Sequence, residues 1–252
     1  MTPRNADFLI PDWPAPTHVR AMTTTRRLPG ASVSPFDAFN LGARCGDEPD
    51  AVRTNRARLM ELAGLPAPAH WLSQVHGTSV HEATHPQPLT QEPEADAAVT
   101  RVGGVVLSIL TADCLPVLFT TRDGNEIAAA HAGWRGLAGG VLERTVAAMQ
   151  SAPKDILAWL GPAAGPLRYE IGEEVRAAFV DGNADAASSF TPTRPGHYLI
   201  DLYALARLRL RASGVGATFG GDTCTISDTA RFYSYRRDGH TGRMASLIWI
   251  TG

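Results

Sequence analysis

Cysteine is scarce in this 252-residue chain. Its three cysteines, Cys45, Cys114 and Cys224, lie far apart, and none belongs to a CxxC pair. An odd, scattered set argues against a disulfide framework. Each thiol is therefore either a small buried hydrophobe, which is the commoner case, or a chemically active group.

Long hydrophobic runs and an excess of charge are also missing. The most apolar window, GGVVLSILTADCLPVLF, is interrupted by Asp113 and Pro116 and is too short to span a bilayer. The first residues show no basic segment followed by an apolar core, so we expect no secretory signal. A net charge of −2 and a pI near 6.4 provide no basic field for nucleic acid or an anionic membrane. We therefore expect a cytoplasmic protein that binds neither.

The chain has the length and composition of one large globular domain. Its hydrophobic content of 44% is ordinary for a folded protein, and no repeat of solenoid length is visible. The proline-rich segment 85–96 is typical of a surface loop. Because the short strand-like segments on either side need each other's faces, we predict a single domain over residues 1–252 rather than a boundary at this loop.

Alternating and continuous apolar patterns predict strands at 18–25, 70–83 (broken at His76-Gly77), 103–110, 115–120, 126–131 and 155–160, and a hairpin over 231–250. Helical periodicity predicts helices at 49–64, 137–150, 169–180 and 201–214. The strands outnumber the helices and do not alternate strictly with them. This pattern favours an α/β (α+β) fold of layered mixed sheets covered by helices.

Three motifs place a chemically active side chain where a strand ends. They are SQVHG with His76, TADCLP with Cys114 and HAGWRG with His131. One thiolate and two imidazoles suit zinc, and three protein ligands leave one position for water or substrate. Cys45 or Cys224 could supply a fourth ligand and make the site structural. The spacings match no compact zinc finger, so a catalytic site, a structural site and simple packing remain open from the residues alone.

Three further residues are candidates for substrate binding. Arg135, in the glycine-rich turn AGWRGLAGG, presents a fork of donors that suits phosphate, although the glycines also fit a merely tight connection. Asn40 can offer its amide to a pocket or cap a turn. Arg236 and Arg237 are neighbours on the predicted strand and would point to opposite faces, so at most one enters a site.

The ordered motifs SQVHG, ADCLPV, HAGWRG and FYSYRRDGHTGRMASLIW resemble the bacterial laccase-domain family, also called multicopper polyphenol oxidase-like or YfiH-like. The resemblance extends from FNLG to the C-terminus. It implies one α/β domain built as an α-β-β-α sandwich. It also implies a zinc ion, with Cu²⁺ as the alternative, held by three residues that are also the expected catalytic groups: His76, Cys114 and His131.

The same resemblance implies an activity. Family members are described as purine nucleoside phosphorylases acting on adenosine, inosine, guanosine and methylthioadenosine, with adenosine deaminase activity. Others are linked to polyphenol oxidation or to cytoplasmic editing of peptidoglycan precursors. We therefore expect a purine nucleoside and phosphate as small-molecule partners, contacted by Asn40, Arg135 and Arg236, and a monomer or homodimer. One departure is visible: NLGARCGD puts Arg44 and Cys45 where many relatives have His and Val, so that histidine's role does not transfer.

Several hypotheses compete with a zinc-dependent phosphorylase. A Cys-His hydrolase or amidase would use Cys114 as nucleophile and His131 or His76 as base. A copper oxidase would use the same ligands, although blue-copper sites usually add a weak axial ligand. A non-catalytic protein with structural zinc is the remaining class. Asp113, next to Cys114, is either a proton carrier, a support for the ligand or a turn residue.

Overall fold

The computed structural model describes residues 8–86 and 91–251. Its strands are β1 (Phe8–Leu9), β2 (Val19–Thr24), β3 (Val80–Glu82), β4 (Ala97–Thr100), β5 (Val106–Thr111), β6 (Leu115–Thr121), β7 (Ile127–Ala132), β8 (Ile156–Leu160), β9 (Glu170–Gly172), β10 (Phe190–Arg194), β11 (His197–Ile200), β12 (Ala217–Gly220) and β13 (Met244–Ile250). Its α-helices are α1 (Pro49–Ala63), α2 (Trp134–Gly139), α3 (Val141–Ala148), α4 (Glu173–Val180), α5 (Leu202–Ala212) and α6 (Tyr235–Asp238). Short 3₁₀ helices cover Pro153–Asp155 and Ala184–Ser189.

Two large sheets form the centre of the fold. One is antiparallel with the order β1-β2-β13-β5, and the other is mixed with the order β12-β8-β6-β7-β4-β3. Their inner faces pack together, with Leu107, Ile109 and Ile248 of the first sheet against Leu118 and Ile127 of the second. The expectation of layered mixed sheets is confirmed.

Helices cover the outer face of each sheet. Leu142 of α3 and Leu205 of α5 pack on Phe119 in the six-stranded sheet, whereas Leu59 of α1 packs on Leu247 in the four-stranded sheet. The order of layers is therefore α-β-β-α within one domain. A small antiparallel sheet, β10-β11-β9, lies beside these layers. Among the described residues, no helix is long and apolar enough to cross a membrane.

Helix α1 follows the signals in its sequence. Pro49 occupies the first turn, where a missing N–H costs nothing, and Gly64 ends the helix in the left-handed conformation with φ 59°. Val52 and Leu59 are buried on the face that meets the sheet. The predicted helix at 201–214 likewise appears as α5, with the side chain of Asp201 accepting a hydrogen bond from Ala204 at its start.

Two predicted helices have different bounds. The segment 137–150 is not one helix: α2 begins at Trp134, and Gly140, with φ 95°, separates it from α3. In the segment 169–180 the first residues form strand β9, and helix α4 begins only at Glu173. In both places apolar periodicity continues through a backbone break, so the pattern alone does not reveal it.

The predicted C-terminal hairpin is wrong. Residues 235–238 form α6, because the side chain of Ser234 accepts a hydrogen bond from the backbone of Arg237 and caps a helical turn. Only β13 is a strand, and its partners are β2 and β5 rather than the residues just before it. The segment 70–83 also differs, since only β3 is a strand and isolated bridges precede it. Of the predicted loop 85–96, residues 87–90 lie outside the described part.

Candidate metal centre and its cavity

His76, Cys114 and His131 meet at one wall of a cavity of about 790 Å³. One ligand atom from each residue lies within 4.8 Å of the other two. The Sγ of Cys114 is 3.8 Å from Nε2 of His76, and the two imidazole rings are edge to face with centroids 4.8 Å apart. The three sequence-predicted residues are therefore together, with a geometry that could hold a metal ion.

Local backbone conformation aims these side chains. Cys114 lies in the turn between β5 and β6, and His131 lies near the end of the neighbouring strand β7, opposite Pro116. His76 has φ 61° and Asp113 has φ 92°, and these are the two non-glycine residues with positive φ in the described part. Such a conformation is costly for an L-residue and persists only where surrounding contacts impose it.

Asp96 supplies those contacts for the histidines, and sequence reasoning missed it. Its carboxylate is fully buried and accepts hydrogen bonds from the backbone N–H groups of Val75 (3.2 Å), His76 (2.9 Å) and Gly77 (2.6 Å). It also accepts one from Nδ1 of His131 at 2.8 Å. An ionised carboxylate only accepts, so this bond leaves the Nε2 lone pair of His131 for a metal or a thiol.

Because Gly133 has no side chain, the side chains of Cys114 and His76 can lie close to the backbone at this position. A Cβ atom on Gly133 would lie 2.9 Å from Sγ of Cys114 and 2.9 Å from Cδ2 of His76. Gly136 similarly lets the backbone of Gly77 approach, because a Cβ there would lie 2.9 Å from the Gly77 carbonyl oxygen. The glycines of HAGWRG thus permit close packing of the turn around the candidate ligands.

The cluster changes the protonation of its own members. Burial by itself raises the pKa of the Cys114 thiol, but the charge of His131 and hydrogen bonds from both imidazoles outweigh it and lower the pKa to about 6. Burial lowers the pKa of His131, yet the nearby Cys114 thiolate and the Asp96 carboxylate raise it to about 9. In the metal-free protein both pKa shifts favour a thiolate on Cys114 beside an imidazolium on His131.

Asp113 connects the turn that carries Cys114 to the start of helix α6. Its carboxylate, 7% exposed, accepts hydrogen bonds from Oγ1 of Thr225 (2.6 Å), Oγ of Ser234 (3.0 Å) and the backbone N–H of Arg236 (2.6 Å). These bonds hold the start of α6 against the turn that presents Cys114. Of the roles considered for Asp113, the geometry favours support of the site over proton transfer.

Arg135, Arg236 and Arg243 line the cavity and have no carboxylate partner among the described residues, and the first two are stacked on aromatic rings of the cavity lining. Arg135 lies over the ring of Trp134, with 4.3 Å from its guanidinium carbon to the ring centroid. Arg236 lies over Tyr169 at 4.9 Å, and its Nη2 donates to the Glu170 carbonyl. Burial raises the pKa of Tyr169 to about 12, so this phenol stays neutral. The cavity therefore presents uncompensated positive charge held against flat aromatic surfaces.

Arg237, which follows Arg236 in the sequence, has a structural role. Its guanidinium donates to the carbonyls of Thr225 and Phe232 and pairs with Asp238. It does not line the cavity, whereas Arg236 does. Both arginines are on the helical turn α6 and not on the predicted strand, and of the two Arg236 faces the cavity.

Asn40 lies behind the cavity wall. It is fully buried, its amide nitrogen donates to the Gly42 carbonyl and to Asp47, and its oxygen accepts from the backbone of Gly42 and Arg243. Gly42 and Arg243 themselves line the cavity. This position favours a role in holding the loop over direct contact with a substrate.

The loop after Asn40 lines the cavity with four residues, Gly42, Ala43, Arg44 and Cys45. Arg44 pairs with Glu92 at 3.1 Å and donates to Oγ of Ser73 at 2.5 Å. The Cys45 thiol donates to the Gly42 carbonyl at 3.2 Å. Cys45 is not part of the His76–Cys114–His131 cluster among the described residues, and Cys224 lies in a different, shallower depression.

The fold and the site together define a class: a one-domain α-β-β-α protein with a His-Cys-His cluster at an arginine-lined cavity. A family model described as "Multi-copper polyphenol oxidoreductase laccase" matches residues 20–251. The chain belongs to this family, which confirms the resemblance of its motifs.

Relatives that match this chain share a name. A Xylella fastidiosa protein named purine nucleoside phosphorylase is 55% identical over 250 residues, which covers 96% of each chain. The Escherichia coli protein named purine nucleoside phosphorylase YfiH is 50% identical over 96% of this chain and 98% of its own. These names support an enzyme that acts on small molecules.

Solved structures show the same fold. The Neisseria meningitidis protein NMB0706 superposes with a TM-score of 0.92 and 47% identity, over 98% of this chain and 100% of that one. YlmD from Geobacillus stearothermophilus gives a TM-score of 0.84 at 32% identity, over 94% of this chain and 93% of its own. Both likenesses extend over nearly the whole domain.

Proposed function

We propose that this protein is a zinc-dependent purine nucleoside phosphorylase. The observation that carries the proposal is the juxtaposition, in one cavity, of a three-residue His-Cys-His donor set and two arginines, Arg135 and Arg236, that have no carboxylate partner. The names of the relatives support the same activity. We propose adenosine, inosine, guanosine and methylthioadenosine as substrates, and deamination of adenosine as a second reaction.

The donor set fits zinc. Two imidazoles and a thiolate are ligands that zinc prefers, and the lowered pKa of Cys114 keeps its sulfur in the form that binds metal. His76, Cys114 and His131 would hold the ion. When bound, zinc supplies a Lewis acid, and it lowers the pKa of a water molecule in its remaining position, which is the chemistry that deamination requires.

The chain's own residues provide binding and orientation for phosphorolysis. Arg135 and Arg236 hold phosphate with its oxygens directed at C1′ of the ribose. Because their guanidinium groups are already stacked on Trp134 and Tyr169, these side chains lose less conformational entropy when the anion binds. The C1′–N9 bond breaks as the C1′–O bond forms, and the proton of hydrogen phosphate is transferred to the departing purine, so the products are ribose 1-phosphate and the neutral purine base. A cavity of about 790 Å³ is large enough for both substrates.

The test measures metal and turnover in the same preparations. Zinc is quantified by mass spectrometry, and phosphate-dependent release of hypoxanthine from inosine is followed for the wild type and for Cys114→Ala. Cys224→Ala is the matched control, because Cys224 is a free cysteine outside the cavity. We expect Cys114→Ala to lose both zinc and turnover while Cys224→Ala keeps them. Phosphorolysis at the wild-type rate in Cys114→Ala would overturn the proposal.

A second candidate is a Cys-His hydrolase or amidase with Cys114 as nucleophile. The thiolate–imidazolium pair with His131 favours it, because thiol hydrolases use this ion pair. Chelation separates the two functions: a hydrolase keeps its activity in metal-free protein and loses it on alkylation, whereas the phosphorylase loses activity in both cases.

The residues that line the cavity support copper-dependent oxidation less well than they support zinc-dependent phosphorolysis. Of the eight histidines, His76 and His131 are the two among the described residues that line the cavity, which suits one ion rather than a copper cluster. Oxygen consumption by copper-loaded protein with a phenolic substrate tests this alternative directly.

A further inference from the structure

Two carboxylates contribute to the described wall of the cavity, and they are in different states. Both oxygens of Asp113 already accept hydrogen bonds from protein groups, three in all, and the residue is buried. Glu92, by contrast, is 24% exposed and has one arginine on each oxygen. Since a carboxylate oxygen accepts two hydrogen bonds, each Glu92 oxygen keeps one acceptor position.

Glu92 is also held firmly in place. Nη1 of Arg56 donates to its Oε1 at 2.9 Å, and Arg56 itself is fixed by stacking at 4.2 Å on Trp71 and by donating from Nε to the Leu41 carbonyl at 3.0 Å. On the other side, Nη2 of Arg44 lies 3.1 Å from Oε2. A carboxylate clamped between two guanidinium groups can recognise a donor without the cost of ordering its own side chain.

The surroundings of Glu92 suit a flat heterocycle. Leu72, Leu110 and Ala43 line the same cavity and offer apolar surface for the faces of a ring. At the ring edge, the carboxylate accepts and the adjoining guanidinium donates. A 6-oxopurine has the complementary order at its edge, with the N1–H donor beside the O6 acceptor. A 6-aminopurine has the reverse order, with an acceptor at N1 that would face the carboxylate.

We propose that Glu92 is the base-recognition residue of the cavity: its carboxylate accepts the N1–H of a 6-oxopurine nucleoside while Arg44 donates to O6. This inference rests on the proposed function for the choice of a purine nucleoside as ligand. It adds a preference for inosine and guanosine over adenosine, and it assigns a ligand contact to Arg44, which is more than half exposed at the cavity.

The experiment measures binding, so it does not depend on turnover. Zinc-loaded protein is titrated calorimetrically, without phosphate, with inosine and with 1-methylinosine, in which a methyl group replaces the N1 proton. A hydrogen bond to a charged group is worth about 1.5–3 kcal/mol, so we expect inosine to bind roughly 10- to 100-fold more tightly in the wild type. In Glu92→Gln, the two ligands should bind within about threefold of each other.

Glu94→Gln is the matched control, because Glu94 is exposed on the same segment and does not line the cavity. It should keep the wild-type ratio. Thermal unfolding of all three proteins verifies that they fold. Equal affinity for the two ligands in the wild type, or an unchanged ratio in Glu92→Gln, would overturn the inference. If the wild type binds inosine more tightly than 1-methylinosine but catalyses no phosphorolysis, the proposed function is overturned and base recognition by Glu92 is supported. If the wild type catalyses phosphorolysis but binds the two ligands equally, base recognition by Glu92 is overturned and the proposed function is supported.

Discussion

Asp96 and His131 are joined by two hydrogen bonds. The Asp96 carboxylate accepts from Nδ1 of His131 at 2.8 Å, and the Asp96 carbonyl accepts from the His131 backbone N–H at 2.7 Å. The imidazole is therefore fixed in both orientation and tautomer by a single buried residue, which also binds the turn carrying His76.

Asp96→Asn should weaken metal binding. The amide has one accepting oxygen in place of two and cannot balance the charge of the bound ion, and loss of such a support typically costs 10- to 100-fold in metal affinity. Competition with a chromogenic chelator measures the zinc affinity. Asp123→Asn is the control, since Asp123 accepts hydrogen bonds in an exposed turn at the far end of β6 and β7. Unchanged affinity in Asp96→Asn would contradict the role given to this carboxylate.

Gly133→Ala should abolish metal binding with little loss of folded protein. The added methyl group would lie 2.9 Å from Cys114 Sγ, and this sulfur cannot retreat without leaving the cluster. Gly182→Ala provides the comparison, because a Cβ at Gly182 meets nothing within 4 Å. Zinc content after purification, together with circular dichroism, checks both variants. A zinc-replete Gly133→Ala protein would show that the turn has more room than the structure gives it.

Cys114 should react as a thiolate at neutral pH in the metal-free protein. Its pKa is lowered to about 6, so the rate of alkylation by iodoacetamide should rise with pH through about 6 and be level at pH 7–8. Peptide mass spectrometry separates Cys114 from Cys45 and Cys224. His131→Gln removes the cation that lowers this pKa, and the midpoint should move upward. A wild-type midpoint near the ordinary thiol value of about 8.5 would refute the ion pair.

Asp113→Asn should weaken the binding of phosphate more than the binding of zinc. Asparagine cannot accept from both Ser234 and the backbone of Arg236 while also accepting from Thr225, so α6 and the Arg236 guanidinium shift. We expect the KM for phosphate to rise several-fold with zinc content and the KM for inosine nearly unchanged. Thr225→Val removes one bond without touching α6 and should have a smaller effect. Parallel loss of zinc and of both substrates would indicate a purely structural role for Asp113.

The layered architecture and the three residues of the His-Cys-His cluster could be predicted from the sequence because their signals are local. His76, Cys114 and His131 each occur in a distinctive motif at a strand end, and helix α1 carries both its start and its stop signal. Asp96 could not be found in this way, since an aspartate after a proline-rich segment resembles any turn residue. Its position directly before strand β4, which pairs with β7 and so brings Asp96 to His131, is evident only from the structure.

The errors have a common physical origin. The tail was predicted to pair with itself, but β13 finds its partners in β2, more than 220 residues earlier in the sequence, and in β5. Apolar periodicity indicates which face of a segment is buried, but it does not indicate which other segment packs against that face. For the same reason the contacts between Asp113 and the residues around Ser234 could not be foreseen from either segment alone.

The central position of β13 has a consequence for biosynthesis. Because β13 lies between β2 and β5, the edge of each strand that faces β13 stays unpaired until residues 244–250 have been translated and have left the ribosome. Until residues 244–250 emerge, the nascent chain exposes two unpaired strand edges, and chaperones that shield such edges would have to act before that point.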